Sequence, residues 1–430
     1  MYPYERLYCY PFFSEITAVA VKKKAGMDMK YSTQEVMQFV QEEDVKFLRL
    51  AFCDVTGKPK NISIMPTELH RAFTYGIAID ASAIEGFGDE AHSDLFLHPD
   101  PDTLTVLPWR PEHGRVARMF CSITDSDGTP FACDVRTMLK QAVAQAEAAG
   151  CTFSFGPEME FYLFNLDENG AHTKEPYDQA SYMDIAPEDK CENVRREICL
   201  TLERMGIRPE SSHHEAGPGQ NEIAFHYSDA LTAADNAITF STIVKTVAAR
   251  NGLWADFSPK PLAGKPGNGH HINISVKGQS PRDMEYMLAG ILDKVAEMTF
   301  FLNPVEDSYR RLGHNKAPAY IGWGDENRSQ LIRVPAASGD GCRIELRSPD
   351  PMANPYVAYT LLIYAALHGI RNQLPLPAFS QENLFTADRQ TLERYKMLPQ
   401  SLLQAKALAF ASPFIRAHLP ASLLDYFHNR

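Results

Sequence analysis

Carboxylates recur along this chain on segments whose apolar residues alternate as they do in half-buried strands. Glu158 and Glu160 sit in FGPEMEFYLF, Glu215 ends HHE, Glu222 follows in GPGQNEIAF, and Glu345 stands in CRIELRSPDP. A further segment, GNGHHINIS, adds His271. Successive side chains of a strand point to opposite faces. Glu158 and Glu160 therefore share one face and Met159 and Phe161 the other. Ile344 and Leu346 flank Glu345 in the same way, as Ile272 and Ile274 flank Asn273. The pattern predicts one sheet with an apolar back and a carboxylate-bearing front. Clustered carboxylates repel one another unless cations sit between them. An oxygen-rich, histidine-poor ligand set suits hard divalent ions such as Mg²⁺ or Mn²⁺. A single glutamate on a strand is ordinarily just solvated, but its repetition on apolar strands marks a site.

Composition narrows the function classes. The chain has 430 residues, 44% hydrophobic and 22% charged, which is enough for a large core and more than one domain. A formal charge of −12 argues against a nucleic-acid backbone as partner, and the short run Lys22 to Lys24 does not overturn that. The eight cysteines show no CxxC pair and no zinc-like spacing, so they read as reduced, mostly buried thiols of a cytoplasmic protein. The longest apolar stretch, TLLIYAALHGI, is too short to span a bilayer.

Residues 1–29 read as an extension: they are rich in aromatic residues, and their positive charges follow the apolar part, the reverse of a secretory signal. Two origins stay open for it, an upstream start codon and an ordered extension used in subunit contacts. Residues 30–128 read as a small α+β domain. STQEVMQFVQEED is a capped helix, with Ser32 or Thr33 as N-cap and Glu35 behind. VKFLRLAFCDVTGKPKNISI is a hairpin around Thr56-Gly57, and TLTVLPW and RVARMFCSITD are further strands. Residues 129–430 form the larger unit. Its helices include DVRTMLKQAVAQAEAAG, from Asp134 to Gly150, ENVRREICLTLERMG, ALTAADNAITFSTIVKTVAARNG, MEYMLAGILDKVAEMTFFL and PYVAYTLLIYAALHGI, with the carboxylate strands between them.

These blocks resemble the glutamine synthetase family from about residue 30 to the C-terminus. The most specific is KPLAGKPGNGHHINIS, Lys260 to Ser275, similar to the family's ATP-site pattern. GPEMEF, HHEAGPGQNE, NRSQLIRVP and RIELRSPDPMANPY follow the family's order. The resemblance implies a β-grasp-like N-terminal domain and a catalytic domain with a curved antiparallel sheet flanked by helices. It implies a type I-like glutamate–ammonia ligase, in which ATP phosphorylates the γ-carboxylate of glutamate and ammonia then displaces phosphate. Two or more Mg²⁺ or Mn²⁺ ions per site would be held by Glu160, Glu215 and Glu222 on one side and by Glu158, His271 and Glu345 on the other. Arg328 and Arg347 would act on the transferring phosphate, with Arg333, Glu210, His213 and Asn273 on the nucleotide. Arg311 and Gly267 would hold glutamate. Asp54 and Tyr182 would form the ammonium site, Asp54 serving a neighbouring subunit in a homododecamer of two stacked hexamers. No nucleic acid or membrane partner is implied.

The departures from the family pattern lie on the acceptor side. GHNKAPAY places Lys316 where the family's flap carries a glutamate, reversing the charge offered to ammonium. Pro266 stands where many members have an asparagine, Asn273 replaces a second histidine, and NLF places Phe385 where an adenylylated tyrosine would stand. A γ-glutamyl ligase acting on an organic amine and a non-catalytic family member that binds nucleotide or metal therefore remain as alternatives.

Overall fold

The computed structural model describes residues 31–110, 113–336 and 342–429. The extension expected over residues 1–29 lies outside them.

The first sheet forms around a hairpin. Helix α1 (Thr33–Glu42) opens on a reciprocal cap, in which Ser32 accepts from the Glu35 backbone and Glu35 from that of Ser32. Strand β1 (Val45–Cys53) turns through Asp54–Gly57 into β2 (Pro59–Ile64), and the two pair antiparallel. Gly57 donates to the Asp54 carbonyl at 2.9 Å with a φ of +85°, a conformation glycine adopts without strain. After α2 (Leu69–Tyr75) come β3 (Ile77–Asp80), β4 (Asp94–Pro99), β5 (Thr105–Val106) and β6 (Arg115–Thr124). The sheet order is β2-β1-β6-β4-β3, with β1 and β6 parallel. TLTVLPW was expected to be a full strand, but only Thr105 and Val106 pair with β6. The Leu107 amide still donates to the Val116 carbonyl of β6, and the Arg110 amide then donates to the Leu107 carbonyl to close a turn.

The second sheet is built on one long strand. Helix α3 (Val135–Ala148), capped by Asp134, leads into β7 (Thr152–Leu166). Then follow β8 (His172–Pro176), α4 (Glu192–Arg204), β9 (Pro209–His214), β10 (Gln220–Phe225), β11 (Ser228–Asp229), α5 (Ala230–Arg250), β12 (Leu253–Asp256) and β13 (His270–Lys277). Helices α6 (Asp283–Leu302) and α7 (Glu306–Arg311) precede β14 (Trp323–Asp325), β15 (Ile332–Val334), β16 (Ile344–Leu346) and α8 (Pro355–Asn372). The main order is β14-β15-β16-β13-β7-β10-β9, and β8, β11 and β12 also pair with β7. All pairings are antiparallel except β14 with β15.

The back of this sheet is covered by helices. Met159, Phe161 and Leu163 of β7 pack against apolar residues of α4 and α5. Helices α6 and α8 approach backbone to backbone, because a Cβ on Gly290 would lie 2.2 Å from the Ala365 carbonyl oxygen. The sequence suggested half-buried strands with an open front, but β7 is buried along most of both faces. Glu160 itself is only 9% exposed, so the front is a deep cavity. Among the described residues, no helix is long and apolar enough to cross a membrane.

Candidate active site

Cross-strand register assembles the carboxylates. β7 lies between β10 and β13, which sets Glu222 opposite Glu160 and His271 opposite Glu158. β13 pairs with β16 and sets Asn273 opposite Glu345, while β15 sets Arg333 opposite Glu345. Of the paired histidines, His271 faces the carboxylates. His270 faces the back, where burial pushes its ring down to about 3 and Tyr359 Oη lies 3.5 Å away.

Three groups of potential ligand atoms, each within 4.8 Å, result: Glu158 with His271 and Glu345, Glu160 with Glu222 and His271, and His213 with Glu215 and Glu222. The expected Glu160, Glu215 and Glu222 set is thus divided. Glu215 lies just beyond β9, not on a strand, and reaches the cluster beside Glu222 and His213. His213, assigned to the nucleotide by resemblance, lies 3.4 Å from Glu222 and 3.7 Å from Glu215.

The electrostatics divide this cluster in two. Burial pushes the Glu160 carboxyl up to about 7; His271 opposes the shift, and Glu215 and Glu222 add to it. Burial also raises Glu222. The hydrogen bond to Glu222 lifts His213 to about 9 despite burial. Burial would raise Glu345 too, but His271, Arg347 and Arg333 outweigh it and hold the carboxyl at about 2. Its oxygens accept from Arg333 at 2.7 Å and from Arg347 at 3.1 Å. Glu345 is thus neutralised by arginines and His271, whereas Glu160, Glu215 and Glu222 lie close together with the His213 and His271 imidazoles beside them. That carboxylate and imidazole donor set fits a hard divalent cation, which would supply the missing positive charge.

The remaining site residues surround the same cavity of about 1070 Å³, which is lined by Tyr182, Glu210, Gly267, Asn273, Arg311, Arg328, Arg333 and Arg347 as well as by the metal candidates other than Glu345. Arg311 is buried and anchored by the carbonyls of Ser348 at 2.7 Å and Arg347 at 3.2 Å. A Cβ on Gly267 would come within 2.2 Å of the Pro259 carbonyl oxygen and 2.9 Å of Arg311 Cγ, so only glycine fits there. Arg347 also donates to the Arg328 carbonyl. Asn273 donates to Glu158 at 2.8 Å and accepts from Arg343 at 3.0 Å. The Tyr182 ring meets His213 edge to face, with centroids 5.4 Å apart. Lys316 is exposed at the cavity with a φ of +71°.

Asp54 is not brought to this cavity within the chain. It is buried in its hairpin turn, accepting from the Thr56 backbone at 3.0 Å, the Thr56 hydroxyl at 2.7 Å and the Lys58 backbone at 3.0 Å. Three contributors escaped sequence reasoning. Gln220 donates to Glu160 at 3.1 Å and to the Gly267 carbonyl at 3.1 Å. The Gly269 backbone donates to Glu160 at 2.7 Å, and Arg343 lines the cavity beside Asn273. The signal for Gln220 is its place in GPGQNE, two residues before Glu222 and so on the same face of the strand.

One sheet thus gathers carboxylates and arginines around a single cavity, a donor set suited to a protein that binds metal and phosphate. Residues 44–126 match the glutamine synthetase beta-Grasp domain and residues 132–430 the glutamine synthetase catalytic domain. The chain belongs to the glutamine synthetase family. It is 43% identical to a glutamine synthetase of Clostridium saccharobutylicum over 393 residues, covering 87% of this chain and 88% of that one. A Methanosarcina mazei glutamine synthetase is 41% identical over 411 residues, 92% of each chain. Among solved structures, the GmaS/ADP complex superposes with a TM-score of 0.83 at 27% identity, covering 91% of this chain and 94% of that one. Plasmodium falciparum glutamine synthetase shares the fold, with a TM-score of 0.81 at 21% identity over 93% of this chain and 95% of that one.

Proposed function

We propose that this cavity joins ammonia to the γ-carboxylate of L-glutamate at the expense of ATP, giving glutamine, ADP and phosphate. The observation that carries the reading is the division of one cavity into an arginine-rich end around Glu345 and a carboxylate-rich end around Glu160. Arg333 and Arg347, with Glu210, His213 and Asn273 nearby, bind the polyphosphate and nucleotide. Arg311 takes the glutamate α-carboxylate, and the Gly267 backbone takes its amino group. That places the γ-carboxylate oxygen to attack the γ-phosphorus of ATP, breaking the bond to ADP and forming γ-glutamyl phosphate, while Arg328 and Arg347 stabilise the charge in transfer. Ammonia then attacks the acyl carbon and phosphate leaves. Glu160, Glu215 and Glu222, and on the other side Glu158, His271 and Glu345, would hold Mg²⁺ or Mn²⁺, which would neutralise phosphate charge during the transfer.

Asp54 of an adjoining subunit and Tyr182 form the ammonium site, which makes assembly into a homododecamer part of the active site. Asp54 does not line the cavity of its own subunit, which accords with a role outside it. A cytoplasmic location accords with free cysteines throughout the described residues. Lys316 supports a second reading: a cation at the cavity weakens ammonium capture, leaving an organic amine as acceptor. Phosphate release with ATP, glutamate and Mg²⁺ or Mn²⁺ across an amine panel decides between them. Release with ammonia upholds the first reading, and release only with a larger amine upholds the second.

A further inference from the structure

A buried cluster lies behind the segments that carry Tyr182 and Glu215, and the reaction above does not use it. Asp178 is at its centre. Its Oδ1 accepts from His214 Nε2 at 2.9 Å, from the Gly219 backbone at 2.9 Å and from the Ala180 backbone at 3.4 Å. Its Oδ2 accepts from the Lys190 backbone at 3.1 Å and the Cys191 thiol at 3.2 Å. His214 in turn reaches the Glu215 carbonyl through Nδ1 at 2.6 Å, and its own carbonyl accepts from the Met183 backbone at 3.0 Å. One carboxylate thus grips both flanks of the turn 214–220, from which Glu215 enters the cavity. It also grips both ends of the segment 178–190, from which Tyr182 enters.

We propose that Asp178 is a positioning residue that locks the Tyr182 wall and the Glu215 carboxylate into one unit, so that the acceptor site and the carboxylate cluster are set together. The inference rests on the roles given above to Tyr182 and Glu215. Side chains that touch a ligand are held to useful precision only when a surrounding layer fixes their backbone and rotamers. Here that layer is shared between two parts of the site that the chain supplies separately.

A metal centre is the competing reading of the same atoms. Asp178, Asp189, Cys191 and His214 offer ligand atoms within 4.8 Å of one another. The cluster, however, is closed by its own bonds. The Arg195 guanidinium already forks onto both Asp189 oxygens, one of them at 3.1 Å, and continues to Asn221 at 2.7 Å. An ion would have to displace that cation and the donors on Asp178.

Asp178→Asn keeps the size but offers an oxygen at only one of the two positions. The amide NH₂ at the other meets N–H donors, so either the His214, Gly219 and Ala180 bonds or the Lys190 and Cys191 bonds are lost. In the metal-free variant, amide hydrogen exchange is expected to rise about tenfold in residues 178–190 and 214–220 and to stay at the wild-type rate in α6. Mn²⁺ affinity, read by electron paramagnetic resonance, is expected to fall about tenfold or more. The KM for ammonia rises while that for ATP stays within about twofold. His214→Gln returns a donor toward Asp178 and should keep near wild-type exchange, whereas His214→Leu should behave as Asp178→Asn does. Wild-type exchange and ammonia KM in Asp178→Asn would overturn the proposal. So would faster exchange spread evenly over the chain, or an equivalent of zinc that survives dialysis and is lost in Cys191→Ser. A wild-type protein that forms no glutamine would sink the proposed function instead, leaving the exchange measurement to decide this inference.

Discussion

Glu160→Gln separates stability from metal binding, because the two should move in opposite directions. Both hydrogen bonds to Glu160 land on Oε2, from the Gly269 backbone at 2.7 Å and from Gln220 Nε2 at 3.1 Å. Glutamine can keep an oxygen at that position and turn its NH₂ toward the cavity, so the packing and both bonds survive. What disappears is a carboxylate whose charge is opposed by burial and by Glu215 and Glu222. In protein stripped of divalent ions, the variant is therefore expected to match the wild type or exceed it by about 1–3 kcal/mol, the scale of an unfavourably buried group.

Metal reverses that ranking. A ligand present at about a hundred times its Kd stabilises the native state by about 2.7 kcal/mol. With an unfolding entropy of about 2.1 cal/mol/K per residue, a chain of 430 residues has about 0.9 kcal/mol/K. The two figures together give a rise in Tm of about 3 °C for the wild type on adding Mg²⁺. For Glu160→Gln the rise should be under about 1 °C, and ATP-dependent phosphate release should fall more than about 100-fold. Calorimetry with EDTA and with Mg²⁺, beside a phosphate assay, reads all of these quantities. A variant that keeps the full metal-induced rise would refute the ligand assignment. One that unfolds several degrees early without metal would refute the claim that Glu160 is an uncompensated charge.

Glu345→Gln should behave oppositely. It leaves Arg333 and Arg347 without their carboxylate and costs about 3–5 kcal/mol in urea denaturation even without metal, and a loss under about 1 kcal/mol would contradict the pairing. Lys316→Glu should lower the apparent ammonia KM by a factor set by about 1–3 kcal/mol of local electrostatics, with ATP affinity unchanged; unaltered ammonia kinetics would mean that Lys316 does not face the acceptor. An inactive Asp54→Ala protein and an inactive Glu345→Gln protein should regain part of their activity when dissociated and reassembled together. Full activity of an isolated monomer in sedimentation would exclude shared sites.

How far the sequence reaches depends on how local the cause is. Helix caps at Ser32 and Asp134 involve neighbours in the chain, and they were legible. The facing of Glu158 and Glu160 follows from strand period alone. The pairing of Glu345 with Arg333 was not legible, since it depends on β15 meeting β16 in one register. The strand-like pattern puts Glu215 on a strand with HHE, yet the ladder ends at His214 and the Glu215 backbone bonds back to the Gln220 carbonyl across a turn. The Asp178 cluster gave no signal: Asp178, Cys191 and His214 look ordinary in isolation, and only the fold joins them.

The same register explains why one cavity can serve two chemistries. On either side of β7 and β13 the carboxylates are of one kind, but their neighbours are not. β15 and β16 bring arginines, so Glu345 is satisfied by protein charge and stays ionised at about 2. Burial, with the carboxylates that β10 and the turn after β9 add, lifts Glu160 to about 7, and the group as a whole suits a cation from outside. In the proposed reaction the first end would draw a polyphosphate, and the second would take up a divalent ion. Arg311, anchored by the carbonyls of Ser348 and Arg347 and packed against Gly267, lines the same cavity. Glutamate bound there would present its γ-carboxylate between the two ends, which is where a phosphoryl group has to be received. Lys316 takes no part in the ion pairs of Glu345 with Arg333 and Arg347. In the proposed function its charge would tune the acceptor and leave phosphoryl transfer undisturbed, so its substitution should move ammonia kinetics alone.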